Sequence, residues 1–206
     1  MKSLSLNDVM IEKASKHDAI LAGELIYMAG KELAFLLFGT DSDDTVISYY
    51  RELWTRTNNR FSHRYSYIAK VEGKPVAMML CYPYKLIRKL IFPTVIQICQ
   101  IIGLRFLWHI VTNIRMFVQF TIIKEADKDE FYICVLSVLP DYRGLRIGAK
   151  LLEYAKDLAV DKGLNKCALL VEASNVRGIS FYERNGYTLV SSSEKPFPIV
   201  RMVSSF

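Results

Sequence analysis

One stretch of this chain admits few folds. Phe131 to Val138 is a run of β-branched and aromatic residues, the composition of a central strand. Pro140-Asp141 ends it, because proline has no N–H to offer a ladder. From Ile147 to Lys162 the period changes. Ile147, Leu151, Ala155 and Leu158 line one helical face, and Gly163 stands next as a terminator. Lys166 to Val171 then reads as a short apolar strand buried on both faces. Such a succession requires a sheet with a helix packed on it.

The turn between strand and helix carries chemistry. Leu136, Ser137 and Val138 lead through Leu139-Pro140-Asp141-Tyr142 into Arg143, Gly144, Leu145, Arg146, Ile147, Gly148 and Ala149. The first amides of a helix have no intrahelical acceptor, and the dipole places about half a positive charge there. A pyrophosphate fits such a terminus. Gly144 and Gly148 let an anion approach the backbone, while Arg143, Arg146 and Lys150 add mobile positive charge. The plainer reading is a strand–helix connection with a solvated basic edge. The loop has neither the spacing of a P-loop nor that of a dinucleotide fingerprint.

A second region matters with the first. Asn175 precedes a short helix, Val176 to Asn185, Tyr182 stands seven positions after Asn175, and Gly186-Tyr187 comes after it. Together these stretches resemble the GNAT N-acetyltransferase superfamily. The family's acetyl-CoA motif, Arg/Gln-x-x-Gly-x-Gly/Ala, aligns with Arg143-Gly144-Leu145-Arg146-Ile147-Gly148, with Arg146 in place of the first motif glycine. An arginine there calls for ordinary helical dihedrals at 146. The two regions cover about residues 131–187. The N-terminal third matches the family only in its order of elements.

The resemblance implies an α/β (α+β) fold: a mixed, mostly antiparallel central sheet flanked by helices. It implies one acetyltransferase domain over residues 1–206, using acetyl-CoA (CoA). Amides from Leu145 to Ala149 would hold the pyrophosphate. The strand end, Leu136, Ser137 and Val138, would run along the cofactor, with main-chain groups of Leu136 and Val138 pairing with the pantetheine arm. Asn175 would contact the cofactor, or simply cap its helix. Tyr182 would lie near the thioester sulfur and protonate the leaving thiolate, or else pack as a core aromatic. A phenol with pKa about 10 donates to a thiolate whose acid is near 8.5 only with help from its surroundings. An amide of the strand, that of Val138, would stabilise the oxyanion. Glu130 is the candidate base, with Glu172 or a water chain as alternatives. Tyr132 either lines the acceptor pocket or packs in the core.

Elsewhere the pattern is legible but less specific. Residues 9–14 read as a strand, and His17 to Ala29 as a helix. Gly30 and Gly39 punctuate the next stretch of chain. A helix starts near Asp41 or Ser42, with Val46, Tyr50, Leu53 and Trp54 as its apolar face. Tyr65 to Val71 and Val76 to Tyr82 form a hairpin around Glu72-Gly73-Lys74-Pro75. Tyr187 to Ser192 and Ile199 to Val203 are terminal strands.

Between the third and fourth strands stands an insertion, residues 85–130. Of residues 85–124, 24 are apolar and six are basic, with no Asp or Glu. Its longest uncharged run, Leu90 to Leu104, contains Pro93 and falls short of the roughly 20 residues of a spanning helix. Two or three buried or amphipathic helices are expected. Three roles stand open: a lid over the acceptor pocket, whose deletion would spare CoA binding; a homodimer or membrane-surface patch through 85–124; and extra core. Trp108, His109 and Phe106 read most simply as packing residues.

The chain's composition sets wider bounds. The net charge of +6 comes wholly from residues 85–124, since 27 basic residues less the six there equal the 21 acidic ones. Without a basic run or an RNA-binding signature, a nucleic-acid partner is not expected. Cys81, Cys99, Cys134 and Cys167 are far apart and the three histidines are isolated, so neither disulfides nor a metal site is expected. Met1 to Asp8 has no apolar stretch of the secretory kind, and a cytoplasmic location is the resulting expectation. The resemblance implies a small-molecule or peptide amine as the acceptor. Alternatives are a non-catalytic acyl-CoA-binding module and an acyltransferase for longer chains.

Overall fold

The computed structural model describes residues 9–195 and 197–206. The N-terminal stretch considered for targeting, residues 1–8, and Pro196 lie outside the described residues. The strands are β1 (Val9–Lys13), β2 (Ser66–Val71), β3 (Lys74–Pro83), β4 (Phe131–Val138), β5 (Lys166–Glu172), β6 (Thr188–Ser193) and β7 (Ile199–Ser205). They form one sheet ordered β1-β2-β3-β4-β5-β7-β6. Every neighbouring pair is antiparallel except β4 and β5, which run parallel. The helices are α1 (Ala19–Ala29), α2 (Lys31–Phe38), α3 (Asp43–Thr55), α4 (Tyr84–Ile102), α5 (Leu104–Thr112), α6 (Ile114–Ile122), α7 (Ile147–Val160) and α8 (Val176–Arg184). The mixed, mostly antiparallel sheet and the helical insertion between β3 and β4 are as expected.

Local chemistry explains most boundaries. Ser42 caps α3 by accepting from Thr45 N–H at 3.3 Å, and Asp43 and Asp44 occupy its first turn. The four predicted apolar residues of α3 are all buried, and Trp54 donates from Nε1 to Ser15 O at 2.8 Å. Glu72 and Gly73 both have positive φ, at 50° and 77°, which suits the two-residue hairpin between β2 and β3. The turn is therefore shorter than the sequence suggested. Pro75 lies within β3, opposite Lys70, where the register of β2 shifts.

One helix was not anticipated. Gly30 and Gly39 bracket α2, which buries Ala34 and Phe38. Gly39, at φ +65°, ends it, and a Cβ there would meet the His109 ring at 2.6 Å. His109 Nε2 lies 2.9 Å from Leu36 O, and Arg105 donates to Gly39 O at 3.3 Å. The insertion thus docks on the C-terminus of α2, where basic groups complement the dipole.

The insertion is in large part core. Its first helix, α4, buries Ile87, Leu90, Thr94 and Ile98, while α5 buries Phe106. Removing the segment would strip the core beneath it, so the deletion suggested for a lid has no clean outcome. Trp108 departs from the packing expectation at 70% exposed. Two helical residues subtend about 200°, so burying Phe106 turns Trp108 outward.

Two apolar layers clothe the sheet. One face carries α1, α3 and α4 over Ile68, Met78, Leu80, Tyr82, Tyr132 and Val135. The other carries α7 over Ala77, Met79, Ile133, Leu169 and Met202, with α8 packed alongside. Tyr132 is 4% exposed, its ring 6.0 Å from that of Tyr82, so it serves the core.

Candidate active site

The parallel neighbours β4 and β5 begin together and then part. Only Phe131, Tyr132 and Ile133 pair with Cys167, Ala168 and Leu169. Beyond them, Cys134–Val138 and Leu170–Glu172 face each other across an open wedge. A bulge sits where the strands separate: Leu80 opposes Val135 while Cys81 opposes Ile133, so Cys134 is an extra residue on β4. Leu139 N–H donates towards β3, to Val76 O at 2.9 Å. Because main-chain groups alternate along a strand, those of Ser137 also face β3, and those of Leu136 and Val138 face the wedge. Two expected groups are therefore directed into it. Ser137 instead spends its main chain on the sheet.

At the mouth of the wedge stands the start of α7. Lys150 N–H donates to Arg146 O at 3.1 Å. Among the described residues, the amides of Leu145, Arg146, Ile147, Gly148 and Ala149 donate to no protein acceptor. Five unengaged donors at the positive end of a helix favour an anion.

Arg146 departs from expectation here. It is the N-cap of α7 at φ 60° and ψ 10°, a left-handed conformation, where ordinary helical dihedrals were expected. The chain must reverse sharply between β4 and α7, and the turn demands this geometry whatever residue occupies it. Gly144, at φ +80°, makes the companion bend. The basic side chains are also less mobile than expected. Arg143 Nε donates to Val138 O at 3.1 Å, and Lys150 Nζ reaches Val9 O at 2.6 Å. Ile147 turns its side chain into the core, 1% exposed.

The helix α8 leans on this turn. A Cβ on Gly148 would come within 3.1 Å of Phe181, so the missing side chain lets the two helices approach. That contact holds the next residue, Tyr182, beside the first turn of α7. The Tyr182 ring packs near Phe181 and Tyr187, and burial alone pushes its hydroxyl up to about 12. Asn175 caps α8, its Oδ1 accepting from Gly178 N–H at 2.9 Å.

The two candidate bases fare differently. Glu130 precedes β4 at the end away from the wedge. It is 3% exposed, ion-paired with Arg201, and accepts from Asp127 N–H at 2.6 Å. Arg201 also reaches Asp127 at 3.1 Å. Both Glu130 contacts are made by one oxygen, Oε2, and the residue stands at the closed end of the β4–β5 pair, so the structure does not bring Glu130, the expected base, to the wedge. Glu172 ends β5 at the open side. Its carboxyl is held above the usual glutamate range, first by burial and then by the charge of Glu32 on α2. Glu32 gave no signal in the sequence, because it lies on the unanticipated helix, far along the chain from the motifs.

On the face opposite α7 a cleft of about 390 Å³ opens between the end of α6 and strands β5 to β7. Leu170, the first β5 residue past the pairing, lines it with Ile122, Ser191 and Arg201. It reaches the wedge from the side away from these amides.

This arrangement has known counterparts. Residues 34–187 match the acetyltransferase (GNAT) family. The chain belongs to this family. Among solved structures, one acetyltransferase aligns over 95% of this chain and 98% of its own, at 20% identity and a TM-score of 0.73. An N-acetyltransferase from Staphylococcus aureus Mu50 aligns over 94% and 99%, at 18% identity and a TM-score of 0.74. A paia N-acetyltransferase from Thermoplasma acidophilum, in complex with coenzyme A, aligns over 96% and 99% at 17% identity with a TM-score of 0.55. These share the GNAT fold. In sequence, N-alpha-acetyltransferase 30 of Schizosaccharomyces pombe is 36% identical over 56 residues, 27% of this chain. The chain spans only 37% of that relative's length.

Proposed function

We propose that the protein transfers an acetyl group from acetyl-CoA to a primary amine, by direct attack of the amine on the thioester. The observation that carries this reading is the open wedge between β4 and β5 with five unengaged amides at its mouth. The residues present fit the co-substrate: donors for a diphosphate outside, and a free strand edge inside for an amide-bearing arm. When bound, acetyl-CoA supplies an activated carbonyl and a thiolate leaving group.

Each residue then takes a role. Amides of Leu145 to Ala149 hold the diphosphate, with Arg143 and Arg146 close by. Leu136 and Val138 pair with the arm through their main chains. Leu136 lies two residues deeper in the wedge than Val138, whose carbonyl already serves Arg143. That contact engages the Val138 carbonyl and not its N–H, which is the donor proposed for the acetyl oxygen. Glu172 takes the proton from the acceptor ammonium, because its raised affinity for protons suits a base working nearer neutrality. As the N–C bond forms and the C–S bond breaks, Tyr182 gives its proton to sulfur, and the proton shed by the acylated nitrogen restores its phenol; its hydroxyl stays protonated up to about 12. The acceptor enters through the cleft beside Leu170. The yeast relative, named as an N-alpha-acetyltransferase, supports a nitrogen acceptor. A reducing, cytoplasmic compartment is proposed with it, as all four cysteines are free.

Isothermal titration with CoA and a thiol-release assay over a panel of amines test the reading together. Tyr182→Phe is expected to keep CoA affinity within about twofold and to lower kcat by about 100-fold. Unchanged release would remove Tyr182 from the chemistry. A wild-type protein that takes up no CoA would overturn the whole proposal.

A further inference from the structure

The outer surface of the insertion is unlike the rest of the molecule. Among the described residues, nine of the 19 large exposed apolar ones lie in α4 to α6. On α5 they are Leu104, Leu107, Trp108 and Val111, the spacing of one helical face. On α6, Ile114, Val118 and Ile122 recur every four residues, and α4 adds Phe92 and Ile96. The opposite faces of α4 and α5 are those that bury Ile98 and Phe106 in the core. These helices therefore already have their core contacts, and the outward apolar faces are surplus to folding.

Charge identifies what covers them. No acidic residue occurs between positions 85 and 124. Among the described residues, Lys85, Arg88, Lys89 and Arg115 are exposed and make no ion pair or hydrogen bond. A twofold dimer through this surface would set these cations against their own copies with no carboxylate between them. No helix among the described residues is long and apolar enough to cross a membrane. Apolar faces carrying a large exposed indole, on a segment whose charged residues are all cations, suit a helix layer lying in the plane of an anionic lipid surface.

We propose that α4 to α6 dock the protein on an anionic membrane surface, with Trp108 and its apolar neighbours at headgroup depth. Ile122 belongs both to this face and to the cleft beside Leu170. The docked protein thus holds that cleft at the lipid boundary. The docking stands apart from the acetyl-transfer reading and is tested without it.

The full chain is sedimented with phosphatidylcholine vesicles, with and without phosphatidylglycerol. Binding is expected only where the anionic lipid is present, with a blue shift of tryptophan emission. Trp54 is fully buried and Trp108 is 70% exposed, so the shift reports Trp108. The pair Lys89→Glu and Arg115→Glu is expected to weaken partitioning at least about tenfold, with melting temperature and CoA affinity unchanged. Equal binding to neutral vesicles, or anionic binding untouched by the charge reversals, overturns the proposal. So does concentration-dependent dimerisation abolished by Trp108→Asp without vesicle binding, which would make a second copy the occupant.

Discussion

Arg146 holds a backbone geometry that its side chain opposes. A residue with a Cβ in the left-handed region costs about 1–2 kcal/mol relative to glycine. Arg146→Gly is therefore expected to stabilise the protein by about 1 kcal/mol, a rise of roughly 2–4 °C in Tm for a chain of this size. CoA affinity should fall, since a cation leaves the mouth of the wedge. Paired melting curves and CoA titrations check both directions, and a lower Tm would refute the strain argument. Glu172 supplies a pH prediction. Its carboxyl binds protons more tightly in the folded state than an ordinary glutamate, so the basic form appears at higher pH. The acid limb of kcat should lie above the usual glutamate value of about 4.3. Glu172→Gln should erase that limb and lower kcat by about 100-fold. The stability sign runs with it: the carboxyl is favoured while protonated, and that contribution is lost as pH rises through the raised value. The Gln variant should accordingly melt higher than wild type at neutral pH.

At the scale of elements, the join between β4 and β7 rests on Glu130 and Arg201, whose side chains are 4% and 7% exposed. Removing one partner of a buried pair leaves an uncompensated charge. Glu130→Ala is expected to cost about 3 kcal/mol, a fall in Tm of roughly 6–12 °C. The kcat of the folded fraction should be unchanged. A loss of kcat without loss of stability would restore Glu130 as the base. A comparable device anchors the return of the insertion: Arg60 pairs with Glu125 just past α6 and donates to Tyr82 Oη at 3.1 Å. The two ends of β4 thus perform different work. Its start is bound into the sheet and its ion pairs, and its end is left open for chemistry.

Across the whole molecule, burial pushes each of the four thiols up, Cys167 to about 12. Protonated thiols are poor nucleophiles. The native protein should consume far less than one equivalent of a disulfide reagent within minutes, and four after denaturation. Rapid native labelling would show that the core opens more readily than its burial implies. The positive charge is equally uneven, with the whole excess carried by residues 85–124 while the rest of the chain is balanced.

How far the sequence alone reached depends on chain distance. The strand–turn–helix from Phe131 to Val160, the spacing from Asn175 to Tyr182, the cap at Ser42 and the apolar face of α3 were all legible. In each, contiguous residues set the geometry through hydrogen-bond period and backbone sterics. Helix α2 escaped because its flanking glycines read as punctuation, although one of them is its C-cap. Tertiary structure decided the parting of β4 from β5, the bulge at Cys134, the pairing of Glu130 with Arg201 and the nearness of Glu172 to Glu32. It also bent Arg146 into a left-handed turn against its own preference. These features bring together distant parts of the chain or override a local tendency. Packing and the satisfaction of buried groups select them, and neither is written in any short window of sequence.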